Sequence, residues 1–167
     1  NRRLFVGGGI AYTVHGRGYN SIDVADPTRP VLLTTGSTAQ FGWRHLVATG
    51  SGTAVAAVGD NPNSPADVSL YDFSDPRKND RFLTQFPTPG TASAVVIHNG
   101  FAYVADGNQG LQVVNYQSFD TQKLPPTITL TTSAVLGKAD SSQPLRMTAN
   151  AVDDVQVRHV EFYLDGG

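Results

Sequence analysis

The chain has no cysteine, one tryptophan, one methionine and a charged fraction of only 16% over 167 residues. The missing cysteines remove disulfides, thiolate metal ligands and cysteine nucleophiles together. They do not oppose export, because a chain of this length can bury enough core without covalent staples. Charge is also nearly balanced, with 12 basic against 14 acidic residues and a formal net charge of −2. An average soluble domain carries about 25% charged residues, and a nucleic-acid binder needs a basic face to displace phosphate counterions. Nucleic-acid binding is therefore excluded as an expectation. No apolar run approaches the roughly 20 residues that cross a bilayer as a helix, so no membrane insertion is expected in this segment. The chain opens Asn1-Arg2-Arg3, without an initiator methionine or apolar leader, and closes on Gly167 directly after a strand-like run. A processed or partial chain is expected from this.

What the sequence does have is 17 glycines and 10 prolines, a composition suited to many short strands joined by tight turns. Three segments share one pattern. Gly9-Ile10-Ala11-Tyr12-Thr13-Val14 leads to Ser21-Ile22-Asp23-Val24-Ala25-Asp26-Pro27, and Gly52-Thr53-Ala54-Val55-Ala56-Ala57 leads to Ser69-Leu70-Tyr71-Asp72-Phe73-Ser74-Asp75-Pro76. Gly100-Phe101-Ala102-Tyr103-Val104-Ala105-Asp106 leads to Leu111-Gln112-Val113-Val114-Asn115-Tyr116. The central alanines, at 11, 54 and 102, are spaced by 43 and 48 residues. Asp23, Asp72 and Asn115 are spaced by 49 and 43. A period in the forties is the length of one four-stranded propeller blade. Asn99-Gly100 is a hairpin signal because both residues tolerate positive φ, and Asp26-Pro27 and Asp75-Pro76 set up turns into fourth strands at 31–35 and 81–86. The near-continuous apolar runs suit strands covered on both faces.

These residues resemble the LVIVD-type repeats of bacterial and archaeal surface proteins. The segment 100–116 is the nearest copy, with Asn115 where the family prefers Asp. The first unit carries His15-Gly16-Arg17-Gly18 in place of an acidic turn. The middle one has a proline-rich insertion, Asn61-Pro62-Asn63-Ser64-Pro65. The resemblance covers about residues 4–119 and implies a β-propeller and an extracellular location, with no catalytic residues to carry over. Three blades are fewer than the four to eight that close a propeller, so the missing blades are expected before Asn1 or, as the lesser alternative, from another chain.

Leu124-Pro125-Pro126 reads as a stiff linker. Alternating runs follow at 127–132, 145–151 and 157–164, the last with Val160, Phe162 and Leu164 on one face. The phrase from Leu145 to Gly166 resembles a bacterial immunoglobulin-like module, of which about three strands of seven would be present. The fold class read from the sequence is therefore all-β: a partial β-propeller of about three four-stranded blades over 1–123, then part of an immunoglobulin-like sandwich over 124–167.

Candidate chemistry is sparse. Trp43, Arg44 and His45 fall at the entry to an innermost strand, where Trp and Arg could stack on and hydrogen-bond a glycan or peptide. The alternative, that Trp43 packs between blades and Arg44 caps a turn, is preferred because aromatic residues are usually packing. His15, His98 and His159 are scattered without metal-site spacing. Asp153-Asp154 and Asp106-Gly107-Asn108 offer clustered oxygens of the kind calcium takes, but Asx-rich turns without the EF-hand spacing are usually only turns. No metal or cofactor is assigned, and calcium is kept as the lesser alternative. No helix follows Gly7-Gly8-Gly9 or Gly16-Arg17-Gly18 to make a phosphate loop. No nucleophile elbow or His-Glu-x-x-His motif occurs.

The expectation is a non-catalytic extracellular or cell-surface scaffold, with the propeller for interaction with a protein or glycan and the immunoglobulin-like module as spacer. Two alternatives stand beside it. One is an accessory region of a secreted multidomain enzyme such as a polysaccharide hydrolase. The other is a self-associating subunit of an extracellular filament or sheath, joined by strand donation at exposed blade edges.

Overall fold

Short apolar strands punctuated by glycine pairs fold back on themselves, and here they do so in an unbroken series of antiparallel hairpins. A computed structural model describes residues 3–59, 67–117, 120–134, 144–155, 157 and 160–163. The described residues contain no α-helix, and the protein is all-β. The first sheet runs in chain order through β1 (Leu4–Gly7), β2 (Ile10–His15), β3 (Gly18–Asp23) and β4 (Val31–Thr34). The second is β5 (Trp43–Ala48), β6 (Thr53–Val58), β7 (Asp67–Asp72) and β8 (Phe82–Pro87). The third is β9 (Ala94–His98), β10 (Phe101–Ala105) and β11 (Leu111–Val114), with a 3₁₀ turn, Gly107–Gln109, before its last strand. No fourth strand joins it among the described residues, in keeping with a sequence that offers fourth strands only to the first two units. The proline-rich insertion at 61–65 lies outside the described residues.

The repeat extends to individual atoms. Gly8-Gly9 and Asn99-Gly100 turn the first hairpins of the first and third sheets with φ of 59° and 78°, and of 49° and 79°, the left-handed pair a two-residue hairpin requires. The Val24 N–H donates to the Gly9 carbonyl at 2.8 Å, and the Phe73 N–H does the same to Gly52 at 2.7 Å. Asp23 and Asp72 each accept the N–H two residues on, from Ala25 at 2.9 Å and Ser74 at 2.8 Å. Asp26 and Asp75 likewise accept from Thr28 and Arg77, both at 3.0 Å. Even the irregularity repeats, since the register slips at Ser21/Ile22 in one sheet and at Leu70/Tyr71 in the next. These Asx turns hold the chain so that it re-enters each sheet as an outer strand.

Packing between sheets explains the apolar runs. All six residues of β6 but Thr53 are buried, and they divide by parity. Ala54, Ala56 and Val58 join Tyr12, Val14 and Tyr19 of the first sheet, with Leu46, Tyr71 and Phe73 of their own. Val55 and Ala57 join Val68 and, from the third sheet, Val95, Ala102 and Val104. Period-2 geometry sends alternate side chains to opposite faces, so each face of β6 is covered by a different neighbour. Alanine dominates because it lets flanking aromatic and aliphatic groups close over the strand. The first strands of the three sheets lie side by side, β5 between β1 and β9, while β8 on the far edge is largely exposed.

The chain separates into two units, Asn1–Tyr116 and Gln117–Gly167. The second holds one described hairpin, β12 (Thr127–Thr132) with β13 (Met147–Val152). Thr127, Thr129 and Thr131 hydroxyls reach across to the carbonyls of Val152, Asn150 and Thr148. The run expected as a third strand over 157–164 is not one over its described residues, and Val160, Phe162 and Tyr163 there are exposed. Alternation gives a strand a buried face only where a second layer covers it, and none is present here among the described residues. The remaining sequence-read positions of that run, 158, 159 and 164, lie outside them, as does most of the polar loop before β13.

Candidate functional site

Trp43 opens β5 and is buried, its ring centroid 5.5 Å from Tyr19 and 5.0 Å from Tyr71. Its indole Nε1–H donates to Thr38 Oγ1 at 2.9 Å. The side chain thus sits at the junction of the first two sheets with its one polar atom satisfied. Arg44, next along the strand, is exposed and crosses the backbone at Gly59, where a Cβ would lie 2.1 Å from its Nε. His45 faces the third sheet, and its Nδ1 accepts the Val95 N–H at 3.1 Å. Val95 belongs to an innermost strand, whose outward N–H groups have no neighbouring strand to bond. Burial and the positive charge of Arg3 hold His45 below the ordinary imidazole range. The three neighbours in sequence therefore point to three different environments and do not converge on one ligand.

Around Trp43 lies a buried polar network that the sequence did not announce. Thr38 Oγ1 accepts the Gln40 N–H and donates to the Gln40 carbonyl. The Tyr71 hydroxyl donates to Gln40 Oε1 at 2.8 Å, and Ser69 Oγ donates to Asp67 Oδ1 at 2.7 Å. Gln40 Nε2 lies 3.4 Å from both Asp67 Oδ2 and Gln85 Oε1. Burial pushes the Tyr71 hydroxyl up to about 12 and raises the Asp67 carboxyl, the Ser69 bond opposing the latter shift. Thr38 and Gln40 sit in a loop without periodicity, and Asp67 follows the proline-rich insertion. Only their burial identifies them. Each group is answered by another, so the network fixes the loop carrying Thr38 and Gln40 onto the second sheet, while the Thr38 N–H donates to the Arg17 carbonyl of the first sheet's hairpin at 2.8 Å.

Asp106 is fully buried and accepts the Gly90 N–H at 2.8 Å through Oδ2. A side chain at position 90 would collide with the Asp106 carbonyl at 2.1 Å, which is why glycine stands there. The Asp106 carboxylate is enclosed, with Oδ2 held by the Gly90 N–H. Asp153 accepts the Val155 N–H at 3.0 Å, an ordinary Asx turn. His15 accepts the Arg17 N–H at 3.3 Å, His98 is exposed, and His159 lies outside the described residues.

A cleft of about 560 Å³ opens between the first hairpins of the first two sheets. Phe5, Tyr12 and Phe73 supply aromatic faces, and Thr49, Thr53 and Ser74 supply hydroxyls. Gly8 and Gly50 sit on its rim, where a Cβ would meet nothing within 4 Å. The volume lies in the range of small-ligand sites, and an apolar floor with a few hydroxyls suits an aromatic or aliphatic side chain or the apolar face of a sugar. None of Trp43, Arg44 and His45 lines it.

Against known families, one stretch of the chain gives a match. Residues 89–115 match the LVIVD repeat. The match spans β9 to β11 and overlaps the segment 100–116 that the sequence resemblance marks as its nearest copy. No curated protein and no solved structure matches the chain.

Proposed function

We propose that the three sheets are blades of a propeller-type extracellular scaffold that binds a partner and does not catalyse a reaction, with the second unit, read as immunoglobulin-like, acting as a spacer. The observation that carries this reading is the division of β6, whose two faces are sealed by two different sheets of the same design. Such stacking makes a rigid frame, and the buried Thr38, Gln40, Asp67, Ser69 and Tyr71 side chains bond within one network. The LVIVD match in the third sheet supports the same architecture. The cleft beside Phe5, Tyr12 and Phe73 is the place where a partner's apolar group would dock. A screen of the purified chain against glycan and peptide arrays tests this. Saturable binding is expected, and Gly50→Asn should weaken it at least tenfold without shifting Tm, because Asn tolerates the positive φ of 86° while filling the rim. Binding indifferent to that substitution would remove the cleft from the reading, and turnover of any arrayed ligand would overturn the non-catalytic one.

A further inference from the structure

The two end sheets leave apolar faces open, and those faces are not arbitrary. In the third sheet Val96, Tyr103, Ala105, Leu111 and Val113 occupy the positions that Val47, Val55, Ala57, Val68 and Leu70 occupy in the second. In the second sheet that face is covered by the third. In the third sheet Val96, Leu111 and Val113 are 56%, 64% and 56% exposed. Conversely, Leu4, Val6, Ala11 and Ile22 of the first sheet correspond by register to Val95, Ile97, Ala102 and Val114 of the third. Those third-sheet residues pack against the second sheet, while Leu4 and Val6 are 61% and 55% exposed.

The free face of the third sheet is thus a second-sheet face awaiting its neighbour, and the free face of the first matches what that neighbour presents. Large side chains held in the open on both faces, in the pattern of a sealed interface, mark an association surface. We propose that the occupant is a second copy of this chain, the third sheet of each protomer stacking on the first sheet of the other. The proposal rests on reading the sheets as repeats of one unit. It continues an interface already formed twice within the chain, and needs no strand exchange at the edges. Two copies bring six sheets together, within the four to eight that close a ring, so the pairing is head-to-tail and closed.

Sedimentation velocity on the purified chain tests this, and its readout is independent of ligand binding. A species of twice 17.8 kDa is expected. Leu4→Asp and Val113→Asp should each give a folded monomer, with circular dichroism unchanged because both positions are exposed. Mixing these two variants should restore a dimer, since one retains an intact third-sheet face and the other an intact first-sheet face. Dimerisation surviving in either variant alone would mean like faces pair, and would overturn the head-to-tail arrangement. A wild-type chain that stays monomeric, or one that forms only an open polydisperse series, would overturn the proposal as well.

Discussion

Acidification should loosen the contact between the second and third sheets through one imidazole. His45 Nδ1 accepts the Val95 N–H at 3.1 Å, an arrangement that needs this nitrogen unprotonated. Burial first, and Arg3 second, hold its folded pKa below the ordinary value of 6.5. Between the two values the unfolded chain binds a proton that the folded chain refuses. Stability is therefore full above pH 6.5 and falls as pH drops towards the folded pKa, below which this group adds no further loss. One such group gives a slope of at most about 1.4 kcal/mol per pH unit. His45→Asn places Oδ1 where Nδ1 stands, keeping the acceptor and removing the titration. His45→Ala leaves the Val95 N–H without its partner and should cost about 1–3 kcal/mol at pH 8. Urea unfolding from pH 8 to pH 5 checks all three chains. The wild type should lose stability relative to His45→Asn as pH falls, and added salt should shrink the Arg3 share of that difference. Parallel pH profiles for the two would refute the reasoning.

Five further substitutions probe the stack. Leu46→Ala, at a fully buried position between the first two sheets, should cost about 2–5 kcal/mol in denaturant melts, whereas Val31→Ala on exposed β4 should stay within about 0.5 kcal/mol. Asp67→Asn should gain on the wild type as pH rises from 4 to 7 in paired thermal melts, because burial raises the Asp67 carboxyl. In the wild type, stability contributed by the protonated acid is present below the raised folded pKa and is lost as pH climbs through it. Gly90→Ala should lower Tm through a clash with the Asp106 carbonyl, costing about 1–3 kcal/mol, while Gly110→Ala meets no neighbouring atom and tests only the strain of its φ of 75°.

The sheets were legible because their turns are. Gly8-Gly9, Asn99-Gly100, Asp26-Pro27 and Asp75-Pro76 each specify a backbone conformation locally, and local specification survives without knowledge of the neighbours. The continuous run at β6 announced two-sided covering for the same reason, since a strand with one wet face alternates. The run at 157–164 shows the limit of that logic. Its alternation is as regular as that of any strand, yet Val160 and Phe162 are exposed, because periodicity offers a face without supplying the layer that covers it. The polar network lay beyond reach. Thr38, Gln40 and Asp67 are distant in sequence, and their burial is set by how two sheets meet. Trp43 was readable as packing from its type alone. The diverging directions of Trp43, Arg44 and His45 follow from strand alternation and the register slip between Trp43 and His45.

That slip bears on how the frame holds its inner edge. Strands β5 and β9 lie side by side without pairing as one sheet, so each faces the other with backbone groups that sheet hydrogen bonds leave unused. The bulge turns Trp43, opposite Val58, to the first-sheet side, while His45, opposite Ala57, keeps the side that faces the third sheet. There it meets the Val95 N–H, so a side chain takes the place of a strand-to-strand hydrogen bond. Side chains, not ladders, must therefore join one unit to the next in a stack of repeats. The Ser21 hydroxyl bonded to the Pro76 carbonyl and Asn79 Nδ2 bonded to the Tyr19 carbonyl at 3.4 Å are the corresponding joints between the first and second sheets. Because such joints are few and individually weak, apolar burial on both faces of each sheet carries most of the cohesion, and a sheet with one face uncovered is the place where the stack is weakest.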